Sequence, residues 1–267
     1  MQKINKWFML PYAIWMLFFI IVPLCLLVYF SFIDIHGQFS FDNYRQIFSP
    51  TYGKLFLESI IYAVIITLLT LLISYPAAYF IRASAHQNVW LLVLIIPTWI
   101  NLLLKTYAFI GILSQEGLAN RLLSFLHLPK MDLLFTSPAF ILVATYIYIP
   151  FMILPIFNNL KEILNHLLDA ATDLGANSWT RFRKIIFPLT KKGIFTGIQI
   201  TFIPALSLFM ITRLIAGNRV INIGTAIEEQ FLVIQNYGMG STIALFLVLF
   251  MAFILIVTNV KNNRRNG

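Results

Sequence analysis

The sequence is poor in charged residues and in cysteine. Asp, Glu, Lys and Arg make up 11% of the 267 residues, whereas hydrophobic residues make up 60%, a balance that soluble domains do not have. The single cysteine, Cys25, excludes an intramolecular disulfide and a metal site built from cysteines. These shortages predict one membrane domain over 1–267, with an all-α, polytopic fold surrounded by lipid.

The sequence also lacks the common motifs of enzymes. It contains no GxxxxGK[ST] phosphate-binding loop, no HExxH and no GxSxG, which removes the usual ATP-binding, zinc-hydrolase and serine-hydrolase patterns. The four histidines are not paired in the sequence and fall in loops or at the ends of spans. We therefore expect no catalytic residue, no metal site and no cofactor, and any ATP that drives this protein must bind to another chain.

The apolar residues are concentrated in runs long enough to cross a bilayer, which requires about 20 residues in a helix. The first run resembles a secretory signal, but it is too long and lacks a small-residue cleavage site, so we interpret it as a retained span. Six transmembrane helices are predicted. They cover residues 7–32, 58–81, 89–110, 138–157, 193–213 and 239–260.

The distribution of basic residues predicts the orientation, because lysine and arginine are retained on the cytoplasmic side during insertion. With both termini inside, twelve bases and only three acids (Glu162, Asp169 and Asp173) are cytoplasmic, which accounts for the whole net charge of +9. The charge is therefore a membrane signature and argues against nucleic acid as a partner. The twelve bases are Lys3, Lys6, Arg82, Lys161, Arg181, Arg183, Lys184, Lys191, Lys192, Lys261, Arg264 and Arg265.

The most charged inner tract, residues 158–192, predicts a helix–turn–helix. Leucines recur at helical spacing in its first half, and Gly175 follows as a C-terminal stop signal. Either Asn177 or Ser178 can cap a second short helix. We expect Pro188 to end that second helix.

One motif in this tract resembles a known family. Its spacing is Asp-Ala-Ala, three residues, Gly, nine residues, Ile, one residue, Phe-Pro, which is similar to the "EAA" signature of bacterial ABC importer permeases, with Asp for Glu and Phe for Leu. The resemblance implies a cytoplasmic coupling helix that docks on an ATPase. A basic loop lying on anionic lipid is the alternative, but it does not explain the spacing. The implied coupling residues are Asp169, Ala170, Ala171, Gly175, Ile185 and Pro188.

Further stretches resemble the spermidine/putrescine importer permeases of the PotB type. They are FSFDNYRQIF, IPTWINLLLKTYAF, YIYIPFMILPIF and IGTAIEEQFLVIQNYGMGSTIAL. This resemblance implies a type I importer permease with its core at 57–260 in a bacterial cell membrane. The implied partners are two copies of a cytoplasmic ATPase, a second homologous permease and an extracytoplasmic polyamine-binding protein.

A polyamine path would use aromatic faces and amide oxygens, because full charges are costly inside a membrane. The candidates, each of which also fits an ordinary interface anchor, are Trp99, Asn101, Tyr107, Tyr146, Tyr148 and, at an outer end, Glu228. Arg213 near the outer end of the fifth span would repel such a cargo unless it is paired or points away from the path. Three alternatives stay open: the same importer class with another cation, a phosphonate or an oxyanion; a stand-alone secondary carrier; and a membrane enzyme.

Overall fold

A computed structural model describes residues 10–263 of the protein. Within this range the chain is helical, and the only strand-like pairing is one antiparallel bridge between Ile33 and Phe39. The start of the first predicted span and four bases of the predicted inner set lie outside the described residues. These bases are Lys3, Lys6, Arg264 and Arg265.

The chain forms two compact units. The first contains residues up to Phe56 together with Ala226–Ile254. Its packing is tight at Gly238, where a Cβ atom would clash with the carbonyl oxygen of Ile33, and Asn43 donates hydrogen bonds from Nδ2 to the same carbonyl at 2.8 Å and to that of Ser31 at 3.2 Å. Its helices are α1 (Leu10–Met16), α2 (Val22–Ser31), α3 (Asp42–Ile47), the start of α4 (Pro50–Ala83) and most of the helix Tyr237–Asn263.

The second unit contains Leu57–Thr225 and Leu255–Gly267. It holds the predicted coupling tract and most of the predicted path. After α4, its helices are α5 (Gln87–Ile95), α6 (Leu102–Leu113), α7 (Leu118–Phe125), α8 (Ser137–Glu162), α9 (Asn165–Asp173), α10 (Ser178–Arg181), α11 (Phe187–Ala205) and α12 (Phe209–Ile211). The helix α13 (Ile223–Glu228) leads back to the first unit, and α14 (Tyr237–Asn263) begins in the first unit and ends in the second.

Four helices among the described residues are long and apolar enough to cross a membrane: Leu10–Ser31, Pro50–Ala83, Ser137–Glu162 and Tyr237–Thr258. Two further helix pairs qualify if each pair counts as one span, which brings the number to six. The prediction of six spans is therefore met only when broken spans are included.

The predicted third span, 89–110, is wrong as a single helix. The segments Gln87–Trp99 and Leu102–Phe125 meet at a bend of 94°, because Pro97 lies in a 3-10 turn and Ile100 is extended, with ψ 133°. A proline cannot donate the backbone hydrogen bond that would continue the helix. Asn101 then starts α6 by accepting a hydrogen bond from the backbone N–H of Leu103 at 2.8 Å.

The predicted fifth span, 193–213, is also broken. α11 ends at Ala205, directly after Pro204, and the chain resumes as α12 at a bend of 56°. At its other end this span starts earlier than predicted, because the chain is helical without interruption from Ser178 to Ala205.

The tightest helix pair in the second unit is α8 against α11. Gly193 and Gly197 let the backbones approach: a Cβ at Gly193 would lie 2.5 Å from the carbonyl oxygen of Pro155, and one at Gly197 2.5 Å from the sulfur of Met152. This is the Gly-xxx-Gly packing of membrane helices. The backbone N–H of Gly193 also donates to Oδ1 of Asn159 at 2.7 Å. The pair holds together the ends of two spans that adjoin the predicted coupling tract.

Candidate functional site

The first helix of the coupling tract, α9, presents one face to the protein and one to its surroundings. Ala171 is buried, and Leu168 packs against the core cluster that includes Leu160 and Ile186. Leu167 on α9 and Leu174 directly after it are exposed; the Leu174 side chain is 89% exposed. Exposing an apolar side chain such as leucine to water is unfavourable, so this face is suited to binding a partner surface.

The turn after α9 is a Schellman motif. The backbone N–H of Ala176 donates to the carbonyl of Ala171 at 2.9 Å, and the N–H of Gly175 donates to the carbonyl of Thr172 at 2.8 Å. Gly175 has φ +80°, in the left-handed region where glycine carries no side-chain penalty. The predicted helix stop at this glycine is confirmed.

The second helix of the tract is capped by Asn177, one of the two predicted candidates. Its Oδ1 accepts a hydrogen bond from the N–H of Thr180 at 2.8 Å. Trp179, 66% exposed, stacks on Phe182 with 5.7 Å between ring centroids, and Phe182 meets the ring of Tyr75 edge-on at 5.8 Å. The aromatic pair therefore connects the exposed surface with α4.

The expectation that Pro188 ends this helix is wrong. A five-residue π-helical segment, Phe182–Ile186, joins α10 to α11, and Pro188 lies in the first turn of α11. A proline in an α-helix removes one hydrogen bond and crowds the carbonyl four residues earlier. The wider π turn directly before Pro188 changes the local hydrogen-bond register and lets the helix continue.

The six predicted coupling residues do not share one environment. Asp169, Ala170 and Gly175 are exposed near the turn, Ala171 is buried, and Ile185 is partly buried. Pro188 is exposed but already belongs to α11. The outward-facing residues Leu167, Ala170 and Leu174, together with Trp179, form what we call the coupling surface. The spacing of three residues places Leu167 and Ala170 on one face of α9, and Leu174 follows directly after its last residue.

Arg82 is a residue of this region whose contacts the sequence reasoning missed. Its Nε donates to the carbonyl of Leu160 at 2.7 Å, and its Nη2 donates to the carbonyl of Ile163 at 2.9 Å and to Oδ1 of Asn165 at 3.2 Å. Arg82 thus donates to the C-terminus of α8, where the Leu160 carbonyl also accepts from the backbone N–H of Ile163 at 3.3 Å, and it reaches the start of α9. The sequence places Arg82 in the last turn of a predicted span, which suggests a capping role. It does not show which helix the side chain contacts.

Arg181 fastens the two helices of the tract to each other. Its Nη1 donates to Oγ1 of Thr172 at 2.9 Å, and its Nη2 donates to Oγ of Ser178 at 3.3 Å. The tract is therefore held at both ends, by Arg82 at the start of α9 and by Arg181 across the turn.

The predicted path residues are dispersed. Trp99, Asn101 and Tyr107 are exposed at and after the break of the third span, and the Trp99 side chain is 79% exposed. Tyr148 is buried within the protein, 7% exposed, whereas Tyr146, two residues earlier on α8, lines an apolar cavity of about 340 Å³. Lys105, a span lysine that was not among the candidates, lines the same cavity. Glu228 belongs to the first unit and the other five to the second.

Comparison with known proteins gives the family. No protein-family model matches the chain. The spermidine/putrescine transport system permease protein PotB of Haemophilus influenzae is 32% identical over 263 residues, which cover 94% of this chain and 92% of that protein. The chain belongs to the PotB permease family. PotB of Escherichia coli K12 is also 32% identical, over 91% of this chain and 92% of that protein. The inner membrane ABC transporter permease protein YdcU of Escherichia coli K12 is 28% identical over 82% of this chain.

Solved structures with low sequence identity share the fold of this PotB-family permease. A bacterial ABC transporter crystallised in complex with an alginate pentasaccharide-bound periplasmic protein matches with a TM-score of 0.79, at 21% identity, over 97% of this chain and 93% of that chain. The MetNI methionine ABC transporter matches with a TM-score of 0.59 over 79% of this chain. The protein is thus a multi-pass membrane permease of the ABC transporter type, as the sequence predicted.

Proposed function

We propose that this PotB-family permease carries polyamines, spermidine and putrescine, into the bacterial cytoplasm as one subunit of an ATP-driven importer. The support is the 32% identity over nearly the whole length to permeases named for spermidine and putrescine transport. The exposed aromatic and amide groups at the break of the third span suit a polycation, because ring faces and amide oxygens bind ammonium groups without a full opposite charge.

The subunit itself does no chemistry in this proposal. Two copies of a cytoplasmic ATPase hydrolyse ATP, a second homologous permease completes the path, and an extracytoplasmic binding protein delivers the cargo. The partners of similar permeases support this arrangement: one is named for a complex with a substrate-bound periplasmic protein, and another is the MetNI ABC transporter. Both termini and the coupling tract face the cytoplasm, as the distribution of lysine and arginine favours.

The structural observation that carries the ATPase-driven part of the proposal is the coupling surface. Leu167, Ala170, Leu174 and Trp179 are exposed although they are apolar or small, and they lie on a tract fastened to α4, α8 and α11. In the proposed cycle, closure of the ATPases moves this surface, and the attached spans change between outward-open and inward-open arrangements. Asp169, Ala170, Ala171, Gly175, Ile185 and Pro188 shape or carry this contact.

Two experiments test the proposal. Uptake of labelled spermidine and putrescine is measured in cells that lack this permease and every redundant polyamine importer, with and without the gene restored. Restored uptake supports the polyamine assignment. If uptake stays absent while another cation, a phosphonate or an oxyanion is carried, the importer class stands and the cargo is different.

The second experiment concerns the ATPase contact. Leu174→Ser is expected to lower the amount of ATPase that co-purifies with the permease, without lowering its thermal stability, because the side chain makes little contact within the chain. Leu122→Ser, on the exposed face of α7, is the matched control. A permease that never retains an ATPase and still transports would identify a stand-alone carrier instead.

A further inference from the structure

A polar cavity of about 460 Å³ lies where the inner ends of α4 and α8 meet the start of α5 and α9. Its lining includes Arg82, Gln87, Lys161 and Asn165, and it contains no Asp or Glu. Two cations without a lining acid make a cavity that favours an anion. Nothing in the proposed transport cycle uses this cavity.

Arg82 has donors available for such an anion. Its Nε and Nη2 are engaged by Leu160, Ile163 and Asn165, but among the described residues its Nη1 donates no hydrogen bond. A guanidinium held from one side presents its remaining N–H groups in a fixed direction, which suits phosphate oxygens. Gln87 is held beside it, since its Nε2 donates to the carbonyl of Arg82 at 2.7 Å.

A second cavity, mostly apolar and about 340 Å³ in volume, is lined by α4, α5 and α8, and also by Lys105 of α6. On α4 its lining ends at Ile81, directly before Arg82. On α5 it begins at Trp90, one turn after Gln87, and on α8 it ends at Ile153, about 12 Å along the helix from Lys161. The basic cavity is therefore at the ends of the spans and the apolar cavity is deeper in the bilayer.

We infer that these two cavities together bind one anionic phospholipid, with its phosphate against Arg82 and Lys161 and an acyl chain in the apolar cavity. Basic cavities between helices at the cytoplasmic ends of spans are suited to such headgroups. A free phosphate would occupy only the basic cavity, and a carboxylate of a partner protein would likewise leave the apolar cavity empty. The occupied site would link the end of α4 to the start of α9, next to the coupling tract.

Native mass spectrometry of the detergent-purified full-length protein, incubated with phosphatidylglycerol or with phosphatidylcholine, tests the inference. Wild type is expected to retain phosphatidylglycerol in preference to phosphatidylcholine. Lys161→Gln is expected to lower retention about fivefold, the effect of one basic residue near a membrane surface. Ala77→Phe, which fills the apolar cavity without changing charge, is expected to lower retention of both lipids.

Lys184→Gln serves as the matched control, because Lys184 is an exposed lysine of the coupling tract outside both cavities. Size-exclusion profiles and thermal unfolding midpoints equal to those of wild type establish that each variant is folded. An excess of inorganic phosphate that displaces the lipid in full would show a phosphate site instead and overturn the inference. If Lys161→Gln retains as much lipid as wild type but co-purifies with less ATPase, the cavity binds a partner carboxylate. That result would also overturn the phospholipid inference.

Discussion

Nε of Arg82, at the end of α4, lies 2.7 Å from the carbonyl oxygen of Leu160, near the end of α8. The two residues are 78 positions apart, and the bond connects two spans that the sequence treats as independent. The guanidinium supplies N–H donors at the end of α8, where few backbone donors remain, and its bond to Asn165 also connects it to the first residue of α9.

Replacement of Arg82 by Gln is expected to destabilise the protein and to impair transport. The side chain would lose its bonds to Leu160 and Ile163, and we expect a loss of about 2 kcal/mol, because hydrogen bonds to charged groups contribute about 1.5–3 kcal/mol and partial exposure reduces that value. The measurements are the thermal unfolding midpoint in detergent and spermidine uptake normalised to membrane abundance.

The control for this replacement is Arg183→Gln, which removes an exposed arginine of the same tract. It is expected to leave the unfolding midpoint unchanged. Arg82→Lys tests geometry, since an ammonium keeps the charge but cannot present the planar fork. Equal midpoints for wild type and Arg82→Gln would contradict a capping role.

Gly175→Ala is expected to destabilise the turn by about 1 kcal/mol, the cost of holding a side chain in the left-handed region. The surroundings are open, with no atom within 4 Å of a Cβ at this position, so the cost is conformational. Gly175→Asn is expected to destabilise the protein less than Gly175→Ala, because asparagine tolerates the left-handed conformation.

The matched control is Gly111→Ala, in the last turn of α6, where the space for a Cβ is also open and φ is ordinary. Alanine is the better helix former by up to about 1 kcal/mol, so this variant is expected to be as stable as wild type or more so. Chemical or thermal unfolding of both variants distinguishes the two cases. If both variants change the stability by a similar amount in the same direction, the left-handed conformation of Gly175 is not the cause of the change.

The two glycines of the α8–α11 contact are expected to respond differently to alanine. At Gly193 the added Cβ meets the backbone carbonyl of Pro155, which cannot move without shifting the helix, whereas at Gly197 it meets the flexible end of Met152. Overpacking costs about 1–3 kcal/mol when the neighbour is rigid. Gly193→Ala should therefore lower the unfolding midpoint more than Gly197→Ala, and the reverse order would contradict the packing described for this pair.

The sequence predicted much of this architecture, and where it failed the reason is physical. Span existence follows from apolar run length, and the stop at Gly175 follows from a local conformational preference. The breaks after Trp99 and Ala205 depend on how freed backbone groups are satisfied by neighbours, which prolines alone do not reveal. Pro150 and Pro155 lie inside α8 without interrupting it.

Contacts between distant segments were also beyond sequence reasoning. The motif predicted which residues shape the turn, but the attachment of the tract to α4 through Arg82 and Tyr75 requires knowledge of which helices are neighbours. The dispersion of Tyr146 and Tyr148 has a simpler cause: residues two apart on a helix point in nearly opposite directions.

Trp99→Ala is expected to raise the spermidine concentration at half-maximal uptake by about two- to thirtyfold, the range for losing one aromatic contact with a cation. Because Trp99 is largely exposed, its removal should leave the unfolding midpoint unchanged. An effect on uptake would then report the lost contact between Trp99 and the cargo. Trp15→Ala, which removes an exposed tryptophan of α1, is the control. An equal response in both variants would point to a general membrane-anchor role for Trp99.

The unbroken helix from Ser178 to Ala205 passes through a π turn and a proline, and its 28 residues extend about 40 Å at 1.5 Å per residue. It is one continuous segment with Trp179 near one end and the bend before α12 at the other. Because the helix continues through Pro188, we expect a movement of Trp179 to be passed on along it. The next break in the helix lies at residues 206–208, where its direction changes by 56°.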